Sequence, residues 1–308
     1  MSFLYKADPG RGTEWQRLFA EQAPDLPFRI WPDLGDPLSV RYLAAWMPPD
    51  DLVASFPNLE ILFSVGAGVD QFDLSRLPPH VPIVRMIEPG IVDGMVEYAT
   101  LATLALHRDL VPYLGQQRER VWQPLRVRQA STRRVGVLGL GQLGQAVLRQ
   151  LRSLKFACAG WSRSRHAIDD IPCFAGTGQL PEFLARTDIL SCLLPLTADT
   201  RGILNRDLFA QLPRGAALIN TGRGGHLVEP DLLAALADGQ LSAAVLDVAE
   251  AEPPPADHPF WHHPRILLTP HVASMTQPDT AVSVVLDNIR RHRLGEPLVG
   301  LVDRARGY

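Results

Sequence analysis

Short apolar runs of strand length alternate along this chain with stretches whose apolar positions fall three and four residues apart. In the first third the runs are Phe3–Ala7, Phe28–Trp31, Leu43–Trp46 and Ile61–Val65, followed by a shorter one at Val81–Met86. Helical patterns near Thr13–Gln22 and Asp50–Phe56 separate some of them. A longer helix is predicted from about Asp93 to Asp109, where Met95, Ala99, Ala102 and Leu106 recur at helical spacing. Val111–Ala130 breaks the rhythm and reads as irregular and arginine-rich. The rhythm returns with a strand at Val135–Leu138, a glycine loop and a helix over Gln145–Leu154. Strands follow near Phe156–Trp161, Ile189–Leu194, Ala216–Asn220, Ala243–Asp247 and Ile266–Leu268, and a last helix spans about Asp279–Leu294.

Strands alternating with helices from end to end predict an α/β fold with parallel sheets. The strongest boundaries are the long helix near residue 94 and the loop near residue 274. They predict a central domain, 94–274, inserted into a first domain made of 1–93 and 275–308. A chain of 308 residues is comfortable for two domains.

Composition narrows the function classes. A formal net charge of -3 gives no electrostatic reason to bind nucleic acid or anionic membrane. No apolar run reaches the roughly 18 residues of a membrane-spanning helix, and Met1–Gly10 has no secretory pattern. Cys158, Cys173 and Cys192 are scattered, which fits a reducing cytoplasm and argues against both a disulfide frame and a metal site. They read as small apolar fillers.

The central domain opens on Val135–Leu138 and then Gly139-Leu140-Gly141-Gln142-Leu143-Gly144, a strand running through GxGxxG into a helix. Gly139 permits the tight turn, Gly141 lets backbone approach a pyrophosphate, and Gly144 lets the helix pack closely on the strand. The N–H groups at the helix start, at Gln142 and Leu143, then face the phosphates with the positive end of the dipole. This context predicts a Rossmann-like dinucleotide site.

An NAD site usually places an acid about 20 residues further on, to hold the ribose hydroxyls. Here the next strand ends Trp161-Ser162-Arg163-Ser164-Arg165, with guanidinium and hydroxyl groups that suit a 2′-phosphate. NADP(H) is therefore expected ahead of NAD(H).

Three further segments stand at or beyond strand ends, the side on which such sheets bind ligands. Arg223, between glycines in Asn220-Thr221-Gly222-Arg223-Gly224-Gly225, offers a planar fork for a carboxylate. Glu252 precedes Pro253, and His271 follows Pro270. A histidine kept protonated by a carboxylate is a suitable acid for reducing a ketone.

Taken together, in this order after GxGxxG, these segments resemble the D-isomer-specific 2-hydroxyacid dehydrogenase family over essentially the whole chain. The resemblance implies a flavodoxin-like substrate domain, with Arg223, Glu252 and His271 as the catalytic residues. It also implies Asp247 and Ala273 near the nicotinamide end, and Leu194, Pro195, Thr221 and Gly222 as walls of the cofactor cleft. In Ser64-Val65-Gly66-Ala67-Gly68-Val69-Asp70, the backbone of Val65, Gly66 and Ala67 is expected to take the substrate carboxylate. Trp46 is placed at the site mouth.

The segments Trp161–Ser164, Pro230–Leu236 and Val302–Tyr308 are similar to a bacterial branch that reduces glyoxylate and hydroxypyruvate. Those small 2-keto acids are thus the expected substrates, and the resemblance implies a homodimer joined through the long helix. Bulkier acids such as phenylpyruvate remain an alternative, as does a non-catalytic nicotinamide sensor, since corepressors of this fold keep the same triad. Formate dehydrogenases carry Gln in the place of Glu252, which this chain does not.

Overall fold

The computed structural model describes all residues, Met1–Tyr308. In chain order it runs β1 (Ser2–Lys6), α1 (Pro9–Gln22), β2 (Phe28–Ile30), β3 (Val40–Ala45), α2 (Leu52–Ser55), β4 (Ile61–Ser64), β5 (Ile83–Val84) and α3 (Pro89–His107). Next come α4 (Leu110–Glu119), β6 (Arg134–Leu138), α5 (Gln142–Ser153), β7 (Ala157–Ser162), β8 (Cys173–Ala175), α6 (Gly176–Ala185), β9 (Ile189–Cys192) and α7 (Arg206–Ala210). The last elements are β10 (Ala216–Asn220), α8 (Glu229–Ala237), β11 (Leu241–Leu246), β12 (Ile266–Leu268) and α9 (Pro278–Leu294). Two compact units result: a terminal unit of Met1–Ile91 with Met275–Tyr308, and a central unit of Val92–Ser274.

The terminal unit holds a five-stranded sheet in the order β2-β1-β3-β4-β5, the flavodoxin-like order, with its pairings parallel. Helix α1 starts where the Asp8 carboxylate accepts the Arg11 N–H at 2.9 Å, with Pro9 following in the first turn. It buries Gly12, Trp15, Leu18 and Phe19, one face at helical spacing. A second carboxylate does more. Glu88, 1% exposed, accepts the N–H groups of Gly90, Ile91 and Gln277 and the hydroxyl of Thr280. One buried acid thereby holds the starts of α3 and α9, beside the two places where the chain changes unit.

In the central unit a seven-stranded parallel sheet has the order β12-β11-β10-β9-β6-β7-β8. The order reverses between β6 and β9, so the loops after these two strands diverge there and leave a crevice. Strands β9 and β10 are buried at every position, as expected of parallel strands with helices on both faces. Helix α5 lays Gly144, Val147, Leu148 and Leu151 against the sheet.

Three local expectations need correction. Val111–Ala130 is not wholly irregular, because Leu110–Glu119 is the helix α4. Pro112 falls in its first turn, where a missing N–H costs nothing, and the helix stops at Arg120 in the left-handed region. Helix α5 begins at Gln142 rather than Gln145, so the end of the glycine motif is already helical. Strand β8 was not expected; its three residues, all half-buried, lie at the sheet edge.

The β6 start is fixed by Asp188, which accepts Nη2 of Arg134 at 2.6 Å, Nε at 3.1 Å and the backbone N–H at 3.0 Å. Burial alone pushes this carboxyl up, but the hydrogen bonds from Arg134 outweigh it and hold it below its ordinary value. A depressed carboxyl stabilises the fold above its unfolded-state value, and that contribution is lost as pH falls through the folded one. Replacing Asp188 with Asn should therefore cost about 1–3 kcal/mol in denaturant unfolding at neutral pH. The gap to wild type should close in acid below about pH 4; a gap independent of pH would exclude the ion pair as its cause.

Candidate active site

The glycine loop leaves β6 with Gly139 at φ +105, where a side chain would come within 2.7 Å of the Leu193 carbonyl. At Gly144 a Cβ would sit 1.8 Å from the Gly139 carbonyl oxygen, so only glycine lets α5 start this close to the strand. Gly141 caps the helix without any side-chain acceptor, and the first turn carries no acid. An anion is the complement of such a helix start, and Gln142, Leu143 and Gly144 are the residues presenting it.

At the end of β7 the expected residues divide by exposure. Trp161 is buried in the core, its indole N–H donating to the Gly176 carbonyl and its own carbonyl accepting the Gly139 N–H. Its carbonyl therefore supports the glycine loop, while its ring packs in the core. Ser162 is also buried, and its hydroxyl is engaged with the Ser164 carbonyl and with His166 Nδ1. Arg163, Ser164 and Arg165 are exposed. Arg163 meets Asp199 at 3.4 Å in an exposed pair, worth little in water and readily exchanged for a phosphate.

The loops after β9 and β10 lie against one another. A Cβ on Gly222 would be 3.2 Å from the Leu194 carbonyl and 2.9 Å from the His226 ring, and the Thr221 hydroxyl reaches the Cys192 carbonyl. Sequence reasoning overlooked His226, which is fully buried. Its Nδ1 accepts the Arg223 N–H at 3.0 Å, so Nε2 carries the proton and donates to Pro195 at 3.2 Å. Buried Asn220 donates to the Arg223 carbonyl at 3.0 Å, and Arg223 Nη1 donates to the Gly222 carbonyl at 2.9 Å. Both polar residues at the loop thus fix the backbone from which Arg223 extends.

Glu252 and His271, brought together from the loops beyond β11 and β12, are 2.7 Å apart, Oε2 to Nδ1. Because an ionised carboxylate only accepts, Nδ1 carries the hydrogen, and Nε2 lies outside this bond. Both side chains keep about a third of their surface open. His271 has φ +53, a left-handed backbone that costs a non-glycine residue about 1–2 kcal/mol.

What holds it there is Asp247. This residue is 1% exposed; Oδ1 accepts the Thr269 hydroxyl at 2.6 Å and the Val272 N–H at 2.9 Å, and Oδ2 accepts the Ala273 N–H at 2.8 Å. The Asp247 carbonyl also accepts the His271 N–H. The carboxylate of Asp247, expected near the nicotinamide end, shapes the 269–273 turn. Tyr98 of α3 extends the network, its hydroxyl 2.5 Å from Thr269, and burial pushes that phenol up to about 12.

In the terminal unit, Ser64 organises the small-residue loop. Its hydroxyl donates to the Gly68 carbonyl at 2.8 Å and accepts from the Gly66 N–H and the Gln71 amide. Val65 gives its N–H to Ala45 and its carbonyl to Thr276. The internal network thus takes up Val65 and the Gly66 N–H, which were expected to bind a carboxylate, and leaves out the Ala67 N–H. Trp46 is 43% exposed, so it is not a core residue, and its ring lies beside Gly66. Lys6 fixes that segment by donating to the Met47 carbonyl at 2.8 Å.

A glycine-loop crevice at the sheet reversal, with a His–Glu pair and an arginine on neighbouring strand ends, defines a dinucleotide-linked dehydrogenase architecture. The family described as D-isomer specific 2-hydroxyacid dehydrogenase, NAD binding domain, matches residues 100–273. The chain is 42% identical over 301 residues, 96% of each protein, to glyoxylate/hydroxypyruvate reductase A of Yersinia enterocolitica. It superimposes with a TM-score of 0.95 on a D-isomer specific 2-hydroxyacid dehydrogenase of Xanthobacter autotrophicus solved with NADPH and MES (39% identity, 100% of this chain and 99% of that one). A third relative is the NADPH-dependent glyoxylate/hydroxypyruvate reductase of Sinorhizobium meliloti, solved with NADP and sulfate (TM-score 0.92, 34% identity, both chains covered to 100%). The chain belongs to the D-isomer-specific 2-hydroxyacid dehydrogenase family.

Asp247→Asn keeps the shape but turns an NH2 toward a backbone N–H. It should lower stability by about 1–3 kcal/mol and turnover roughly tenfold, read from thermal unfolding and steady-state rates. Unchanged turnover would show that the turn holds His271 without this carboxylate.

Proposed function

We propose that this chain reduces small 2-keto acids with NADPH, glyoxylate and hydroxypyruvate foremost. The observation that carries the reading is the His271–Glu252 pair at 2.7 Å on a dinucleotide-binding sheet. The names of the Yersinia and Sinorhizobium relatives support the substrate class, and the NADPH and NADP in the solved structures support the cofactor. In this reading residues 92–274 form the cofactor unit, and 1–91 with 275–308 form the substrate unit.

The residues fit NADPH. Gly139, Gly141, Gln142, Leu143 and Gly144 take the pyrophosphate, and Arg163 and Ser164 take the 2′-phosphate, Arg163 exchanging its exposed Asp199 partner for it. Leu194, Pro195, Thr221, Gly222 and Ala273 border the crevice. NADPH, when bound, supplies hydride to the keto carbon. Arg223 orients the substrate carboxylate and stabilises charge growing on the carbonyl oxygen. His271 donates a proton from Nε2 to that oxygen, and Glu252 keeps the ring turned.

The reading includes a homodimer in the cytoplasm. On α3, Leu101 is 60% exposed and Leu104 partly so, and beyond α4 the chain extends through a fully exposed Trp122. Such a face suits a second copy of the chain. The three cysteines are unpaired, and burial pushes the Cys158 thiol up to about 11 and Cys192 to about 12, which leaves them chemically quiet. No helix is long and apolar enough to cross a membrane.

The deciding experiment follows NADPH and NADH oxidation optically with glyoxylate, hydroxypyruvate, pyruvate and phenylpyruvate. Fast turnover of the first two with NADPH is expected, with His271→Ala suppressing it while NADPH still binds, and Arg163→Ala eroding the preference over NADH. Turnover of phenylpyruvate alone would overturn the substrate class. Tight NADPH binding with no turnover would point to a sensor. Sedimentation should give a dimer that Leu101→Glu dissociates; a monomeric wild type would remove that part of the reading.

A further inference from the structure

The central unit holds a second histidine–carboxylate pair, separate from the proposed catalytic one. His258 Nε2 lies 3.0 Å from Glu229 Oε2, with both side chains about four-fifths shielded. His258 Nδ1 accepts the Phe260 N–H at 3.3 Å, and its ring meets Phe260 edge-on at 4.5 Å. With Nδ1 accepting, Nε2 bears the hydrogen and donates to Glu229.

Glu229 spends its other oxygen on the active-site loop. Oε1 accepts the Glu250 N–H at 3.2 Å, two residues ahead of Glu252. Within that loop Glu252 Oε1 accepts the Ala249 N–H at 3.2 Å, while Oε2 faces His271. Both oxygens of Glu229 thus grip the loop 249–258, one near each end. At the first position of α8 it also gains from the helix dipole. The other charged contact of this loop is Arg201 with Glu250, an exposed pair at 3.4 Å that contributes little. On the far side of His271 the charged neighbour is Asp247, already committed to the 269–273 turn.

We propose that Glu229 and His258 are a positioning pair that holds the Glu252 carboxylate against His271. The inference rests on Glu252–His271 being the proton-donating pair. Neither Glu229 nor His258 touches substrate or cofactor in this scheme. Their effect is to restrict the loop, so that Glu252 Oε2 meets His271 Nδ1 in one geometry.

The test compares Glu229→Ala, Glu252→Gln and the double variant in the full-length protein. It reads kcat and KM for glyoxylate across the pH range in which histidine titrates, with NADPH affinity by fluorescence. Reduction consumes a proton from His271, so activity is lost as pH rises. Glu252→Gln should move that loss to lower pH. Glu229→Ala should move it in the same direction by a smaller amount, with kcat down roughly tenfold, while NADPH affinity stays unchanged.

In the Glu252→Gln background Glu229→Ala should add no further shift, since its effect passes through Glu252. Should Glu229→Ala fold poorly, Glu229→Gln keeps an acceptor for the Glu250 N–H and should give a smaller shift of the same sign. An unmoved pH profile in both Glu229 variants, or an equal shift in the Glu252→Gln background, would overturn the positioning role. An unmoved profile in Glu252→Gln itself would instead overturn the catalytic pair, and the inference with it.

Discussion

The site depends on one buried carboxylate satisfied by the backbone of a distant turn. Asp247 sits at the end of β11 and reaches 22 to 26 residues along the chain to Thr269, Val272 and Ala273. A carboxylate with 1% exposure is costly unless its lone pairs are matched, and here three donors match them. Those bonds, with the His271 N–H on the Asp247 carbonyl, offset the left-handed backbone at His271. Without that turn, a histidine following Pro270 has no reason to face Glu252.

This dependence explains what could be read from the sequence. Apolar runs and GxGxxG announce themselves through periodicity and glycine spacing, because β6, α5 and β7 are built from local constraints. Arg223, Glu252 and His271 stand out in the sequence because each is a chemically distinctive residue beyond a strand end, and the structure pairs the last two. The buried braces were not. Asn220, His226 and Asp247 act on backbone groups of the loops around them, and nothing in spacing distinguishes a carboxylate facing a cofactor from one facing a hydroxyl and two N–H donors. Trp161 stands where the motif puts it, with its ring turned into the core, a direction that spacing does not reveal.

The tail shows the same limit. Val302–Tyr308 carried a family likeness without visible chemistry. In the fold, Arg304 donates to the carbonyls of Leu74, Leu77, Pro78 and Val81, closing a loop whose own backbone pairs few of them. Burial holds that guanidinium below its ordinary value, yet it stays charged because arginine starts so high. Helix α4 escaped notice because Asp109 and Arg120, both in the left-handed region, bound it without glycine.

A common device connects these points. Glu88, Asp247, Glu229 and Asp188 each place a carboxylate where it accepts backbone N–H groups from a separate segment, so acids do the work that packing cannot do for loops. Glu252 departs from the pattern in one respect. It spends one oxygen on its own loop, at the Ala249 N–H, and leaves the other for His271 with about a third of its surface open. A carboxylate consumed entirely by backbone would fix the loop but give nothing to the imidazole; one free of backbone would not hold its aim. Splitting the two oxygens meets both demands, and it ties the loop behind Glu252, gripped by Glu229, to the imidazole of His271.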